Sequence, residues 1–228
     1  MADSMLFKPL QLGNTTLQPR IVMSPLSRFR ANHETHTHLP MAKECVGARH
    51  HDHNRSHFVS RHIDSYTSVD LHHTPGIYTR EQMASCTETT GAVHAKGSFI
   101  WMQLWALGRV ADLKAASARG FTMTKEDTRS VVADFAQTVR NAIEISFDGV
   151  ELHGANIYLI DQFIQDRANK RADDYGGSIE NRARSIIEAA SAVVAAIGAD
   201  RVGIRFSPCS TFQGMRMKDP IPQFTQVI

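Results

Sequence analysis

Apolar positions along the chain fall into short continuous runs that alternate with one-sided stripes, a pattern that predicts strands interleaved with helices. Arg20 to Ser24 (R-I-V-M-S) reads as a buried strand ending at Pro25, after a turn marked by Gly13-Asn14. Phe99 to Leu104 has strand length and aromatic enrichment. Thr124 is an N-cap candidate with Asp127 three residues on, a weaker form of the capping box. Val131, Val132, Phe135, Val139, Ala142 and Ile143 follow it at helical spacing. Gly149 to His153 is a further strand. Ser178 opens another helix with Ile186, Ile187, Ala190, Val193, Val194 and Ile197 apolar, and Gly198 stands where a C′ glycine belongs. Arg201 to Phe206 is one more strand. The spacing leaves a gap between the first and second of these strands where another fits. Strands alternating with helices imply parallel βαβ units, hence an α/β fold. Periodicity alone does not separate an open sheet from a barrel. With no internal repeat and no low-complexity linker, residues 1–228 read as a single domain.

Composition narrows the function classes. The chain is 42% hydrophobic and 21% charged, ordinary for a globular domain. A net charge of +2, from 25 basic and 23 acidic residues, gives no reason to expect a nucleic-acid partner. No apolar run reaches the roughly 18 residues that a membrane span requires. The first residues lack the basic and apolar regions of a secretion signal. Cys45, Cys86 and Cys209 lie far apart and form no C-x-x-C pair, which points away from a disulfide framework and toward a reduced, cytoplasmic setting. Ten of the twelve histidines lie between His33 and His73.

Three features at predicted strand ends carry chemistry, and each has a plain structural alternative. After the strand ending at Leu152 comes His153-Gly-Ala-Asn156-Ile-Tyr158. It supplies two neutral donors for a carbonyl oxygen and a phenol able to deliver a proton. Singly, each of these residues reads more readily as a packing or surface residue; as a trio at a strand end the two readings stand about even. Gln103, an amide inside an apolar strand, needs partners once buried, from a planar ligand or from the backbone. Arg205, a charge inside V-G-I-R-F, needs an anion or a salt-bridge partner.

Around these residues lie L-F-K-P-L-Q-L-G-N near the start, P-L-S-R-F-R-A from Pro25 and Q-L-W-A-L-G-R from Gln103. They are followed by D-G-V-E-L-H-G-A-N-I-Y-L-I-D-Q-F from Asp148, D-D-Y-G-G-S-I-E-N-R-A-R from Asp173 and V-G-I-R-F-S-P from Val202. In this collinear series the chain resembles the old yellow enzyme family, and most of all its fungal members, including the branch that reduces an aldehyde intermediate of ergot alkaloids. The resemblance implies a TIM (β/α)8 barrel that binds FMN and takes reducing equivalents from NAD(P)H. The reaction it implies is reduction of the activated C=C bond of a small enone or enal. On the matching positions, His153 and Asn156 would bind the substrate carbonyl and Tyr158 would protonate the α-carbon. Pro25, Ser27, Gln103 and Arg205 would contact the flavin, with Ser27 in the place of the family's usual threonine and Arg205 favouring the anionic reduced flavin. No metal is implied.

The sequence departs from that pattern in four places. Ile157 stands where the family has glycine, a costly exchange if the position needs positive φ. The loop after Gly108 is short. The segment from Cys45 to His73 replaces the β-branched second barrel strand. Its cluster of His50, His51, His53 and His57 permits a metal-binding reading. A shift of reading frame explains more: His, Asn and Asp codons read one nucleotide later become Ile, Thr or Met, which restores a strand-like run. Sequencing of the transcript tests this expectation. Finally, the chain ends after the fifth predicted strand, so the expected fold is an incomplete barrel of about five of eight βα units. The loops that commonly hold phosphate, after strands seven and eight, would then be absent. Three readings follow: an FMN-dependent ene-reductase, a truncated and inactive remnant of one, and a histidine-rich metal-binding module. For the chain as written, the sequence predicts a colourless preparation.

Overall fold

The computed structural model describes residues 4–18, 20–25, 31–32, 34–37, 57–58, 75–110 and 123–228. The chain opens with an antiparallel hairpin, β1 (Leu10–Leu12) and β2 (Thr15–Leu17), closed by the expected turn at Gly13-Asn14. The strand expected at Arg20 to Ser24 does not form as such. Within it only Val22 makes an isolated bridge, and Val22 is exposed rather than buried. A strand exists only through a ladder partner, and the parallel sheet of this structure is built without this segment.

Among the described residues that sheet has four strands: β3 (His57–Phe58), β4 (Ile100–Leu104), β5 (Gly149–Gly154) and β6 (Val202–Phe206). β3 fills the gap left between the first and second predicted strands. The rest of the histidine-rich segment, including His50, His51 and His53, lies outside the described residues, as does the short loop after Gly108 from 111 onward. The strands follow one another in the order β3-β4-β5-β6, all parallel. Each new strand is added beside the last with no reversal, as in the arc of a barrel; a doubly wound sheet reverses at a switch point.

Three longer helices connect and cover the strands: α1 (Arg80–His94), α2 (Lys125–Glu144) and α4 (Ile179–Ile197). Two short ones, α3 (Leu159–Ile164) and α5 (Ile221–Val227), are the other α-helices among the described residues. α2 starts where the sequence places it. Thr124 accepts from the Asp127 N–H, and Asp127 accepts from the Thr124 N–H at 2.7 Å, a complete capping box. α4 starts at Ser178 and stops at Gly198, whose φ of 87° takes the chain out of the helix. Its buried face is Ala183, Ser185, Ile186, Ala189 and Val193, whereas Ile187 and Val194 are exposed.

The register separates the two faces of the sheet. Gln103 pairs with Glu151, and His153 pairs with Arg205, so these four share one face with Trp101, Gly149 and Gly203. Ile100, Met102, Leu104, Val150 and Leu152 occupy the other face, fully buried in the core made with Val131, Phe135, Val139, Ile186 and Val193. On the inner face the Trp101 indole lies across Gly149. A Cβ at that position would come within 2.7 Å of the ring, so glycine is required there. No described helix is long and apolar enough to cross a membrane.

Candidate active site

The chemistry-bearing residues gather at the C-terminal ends of β4, β5 and β6, where parallel α/β folds place functional groups. The lowest layer is a charged knot on the inner face. Arg205 grips Glu151 with two parallel bonds, Nε to Oε1 at 2.7 Å and Nη2 to Oε2 at 3.1 Å, and Gln103 Nε2 donates to the same Oε1. Gln103 and Glu151 are buried, while the Arg205 side chain keeps 39% of its exposure. The salt-bridge alternative for Arg205 therefore holds, and its partner, Glu151, was not singled out in the sequence. The signal for it was present: an acid inside the apolar run G-V-E-L needs a cation when buried, and Arg205 was the cation without a partner.

His153 lies above this knot, nearly inaccessible to solvent. Burial, assisted by the positive charge of Arg205, lowers its pKa to about 4. The imidazole is accordingly neutral at physiological pH, with one N–H donor. Its Nδ1 is buried with no hydrogen-bond partner among the described residues, a cost that a ligand able to bond it would remove.

After Gly154, the last residue of β5, residues 155–158 form a tight turn. Tyr158 N–H donates to Ala155 O at 3.3 Å, and both central residues have positive φ, Asn156 at 55° and Ile157 at 67°. This is the dihedral pattern of type I′, which favours Asn followed by Gly. Asn156 suits it. Ile157 does not, because a β-branched side chain in the left-handed region costs roughly 1–2 kcal/mol. The turn survives because it is tied on all sides. Asn156 N–H donates to Ser207 Oγ at 2.9 Å, and Ile157 N–H to the buried carboxylate of Asp161 at 2.8 Å. Leu159 N–H donates to Ala106 O at 2.9 Å.

The turn delivers Tyr158 to the site despite the strain. Its ring meets the edge of Trp105, with centroids 4.4 Å apart, and tilts over His153 at 5.3 Å. Burial raises the phenol pKa above its usual value, so Tyr158 holds its proton at neutral pH. His153 and Tyr158 are thus brought together, with Asn156 in the turn between them, Arg205 level with His153 on β6 and Gln103 opposite Glu151 one pair earlier on that face. Pro25 is half-buried, and Ser27 lies outside the described residues.

Comparison with known proteins gives matches over nearly the whole chain. Residues 5–227 match the model of the NADH:flavin oxidoreductase / NADH oxidase family. The chain belongs to that family. Among curated members, chanoclavine-I aldehyde reductase fgaOx3 of Penicillium roqueforti (strain FM164) is 45% identical over 238 residues, covering 96% of this chain and 64% of that protein. A protein of Epichloe festucae var. lolii named probable inactive reductase easA is 42% identical over 248 residues, covering all of this chain and 65% of that one. Among solved structures, Old Yellow Enzyme from Pichia sp. AKU4542 superimposes with a TM-score of 0.90 at 35% identity, covering 99% of this chain and 66% of that one. This family member therefore spans slightly under two thirds of the length of the curated relatives it matches.

Proposed function

We propose that this site serves the FMN-dependent, NAD(P)H-driven reduction of the activated C=C bond of a small enal or enone. The observation that carries the reading is the neutral His153 with an unpartnered buried Nδ1, placed beside the protonated phenol of Tyr158. The residues fit the cofactor that the family implies. Gln103 and Arg205 offer an amide and a guanidinium at the floor, suited to the polar edge of a flavin pyrimidine, and Pro25 and Ser27 join them by resemblance. Bound FMN would take hydride from NAD(P)H and return it to the β-carbon of the alkene. His153 and Asn156 would donate to the substrate carbonyl and stabilise the enolate that develops as hydride arrives. Tyr158 would give its proton to the α-carbon, and burial suits it to that task by keeping the phenol protonated until a carbanion-like centre forms beside it.

A second reading, a catalytically silent relative, is favoured by one observation: Ile157 occupies a left-handed position just before the proton donor. One preparation separates the two. Under the first reading, the chain titrated with FMN turns yellow and oxidises NADPH when 2-cyclohexenone is added. Tyr158→Phe then loses about 10²–10⁴-fold of that rate while keeping the flavin spectrum. A preparation that stays colourless in excess FMN establishes the silent reading, as does a yellow one without enone-dependent turnover.

A further inference from the structure

The side chain of Gln162 joins two loops that no backbone ladder connects. Its Nε2 donates to Leu107 O at 3.1 Å, in the loop after β4, and to Ile157 O, in the turn after β5. Its Oε1 accepts from Arg109 N–H at 3.0 Å. One amide thus occupies two carbonyls and one N–H on both sides of the gap between the strand ends. The local backbone is shaped around it. A Cβ on Gly108, which sits at φ 57°, would fall 2.3 Å from Gln162 Oε1, so only glycine leaves room for the amide. The two loops joined in this way carry the two aromatic rings in edge contact, Trp105 and Tyr158.

We propose that Gln162 is a positioning residue for the proton donor. By bridging Leu107 and Arg109 to Ile157, it holds the strained turn and keeps Tyr158 seated between Trp105 and His153. The role in catalysis rests on the ene-reductase reading above; the positioning itself does not. Ile157 O takes its bond from Gln162, and Ile157 N–H gives its bond to Asp161, so the misfitting residue is held at both ends by consecutive side chains of α3. Loss of the Gln162 end frees the turn to relax and carries the phenol toward water. Leu159 N–H to Ala106 O remains, so the start of α3 keeps its anchor.

The test needs neither flavin nor substrate. Rapid pH-jump titration of phenolate absorbance, taken as the difference between the chain and Tyr158→Phe, isolates the ionisation of Tyr158. In the parent its midpoint lies above 10 because the ring is buried. In Gln162→Ala, with its own Tyr158→Phe control, the midpoint falls back toward 10, and the near-UV dichroism of the Trp105–Tyr158 contact weakens while the far-UV spectrum is retained. Gly108→Ala keeps the Gln162 side chain but forces its amide out of the bridging position, and shifts the midpoint in the same direction. An unchanged midpoint and near-UV spectrum in the folded variants overturns the proposal. If Gln162→Ala does not fold, Gly108→Ala and Gln162→Glu decide alone; Gln162→Glu keeps the acceptor for Arg109 and removes both donors. A chain that shows the shift yet reduces no enone retains the positioning and loses the proposed function; an active chain without the shift does the reverse.

Discussion

The two faces of the β4–β5 pair differ in what their side chains depend on. On the helix-facing side, Ile100, Met102, Leu104, Val150 and Leu152 are fully buried and held by contact alone. On the inner side, Gln103, Glu151 and His153 are nearly as buried, yet each is tied to a particular partner or lacks one. Shape decides the first face, so substitutions there cost stability in proportion to the volume removed. Pairing decides the second, where loss of one member leaves the others with unmet charge or hydrogen bonds. The two should therefore break in different ways.

Four experiments sharpen this contrast. Leu152→Ala, on the apolar face, is expected to lose about 3–5 kcal/mol in denaturant unfolding without moving the Tyr158 titration. On the inner face, the sign for His153 follows from its lowered pKa. The unfolded chain takes up a proton near pH 6.5 and the folded one only near 4. Stability is therefore full above about pH 6.5 and is lost as pH falls toward 4, by on the order of 3 kcal/mol. In His153→Gln that fraction of the pH dependence disappears, so the difference between the two stability–pH curves isolates it. Glu151→Leu strands Arg205. Because Arg205 is partly exposed, the expected cost is roughly 2 kcal/mol rather than that of a fully buried charge, and Arg205→Met in the same chain returns most of it. An additive double mutant would show that the knot is not a coupled unit. Smallest is Ile157→Gly, expected to gain about 1 kcal/mol as relief of left-handed strain outweighs the added entropy of the unfolded chain; an unchanged or lower midpoint would contradict the strain.

The same contrast explains which parts of the molecule were legible in the sequence. Helices α2 and α4 were visible because a polar cap precedes an apolar stripe, Thr124 before Val131 and Ser178 before Ile186. α1 was not visible. Its buried face is Gln82, Met83, Cys86, Thr89, Thr90 and Val93, half of it polar, so no apolar stripe marks it. Two of those polar groups reach partners far along the chain: Gln82 Nε2 donates to Thr35 O at 3.1 Å and Thr90 Oγ1 to Ile145 O at 2.9 Å. α3 escaped notice because its six residues are all buried and show no periodicity. In the site, His153, Asn156 and Tyr158 could be named as a group because they are neighbours in the chain. Glu151 and Arg205 each stand as a charge inside an apolar run, a signal that each needs a partner, and the register of β5 against β6 is what joins them across 54 residues. The Arg20 to Ser24 segment shows the converse: an apolar run has strand composition, but pairing makes a strand.

The turn at Asn156-Ile157 has a further consequence in the arithmetic of the genetic code. Isoleucine and glycine codons differ at both of their first two bases, so no single nucleotide change restores the residue that the left-handed position favours. Each one-step route toward glycine passes through Val, which is again β-branched, or through Ser or Arg, which also carry a Cβ into that region. One base change does lead from two of the three isoleucine codons to Asn, which tolerates the left-handed region better than other non-glycine residues, so single-step relief at position 157 is partial. The carboxylate of Asp161 and the amide of Gln162 already hold the turn from outside and lessen the need for either change. A poorly fitting residue can persist in this way, and the side chains that brace it then become harder to replace than the residue itself.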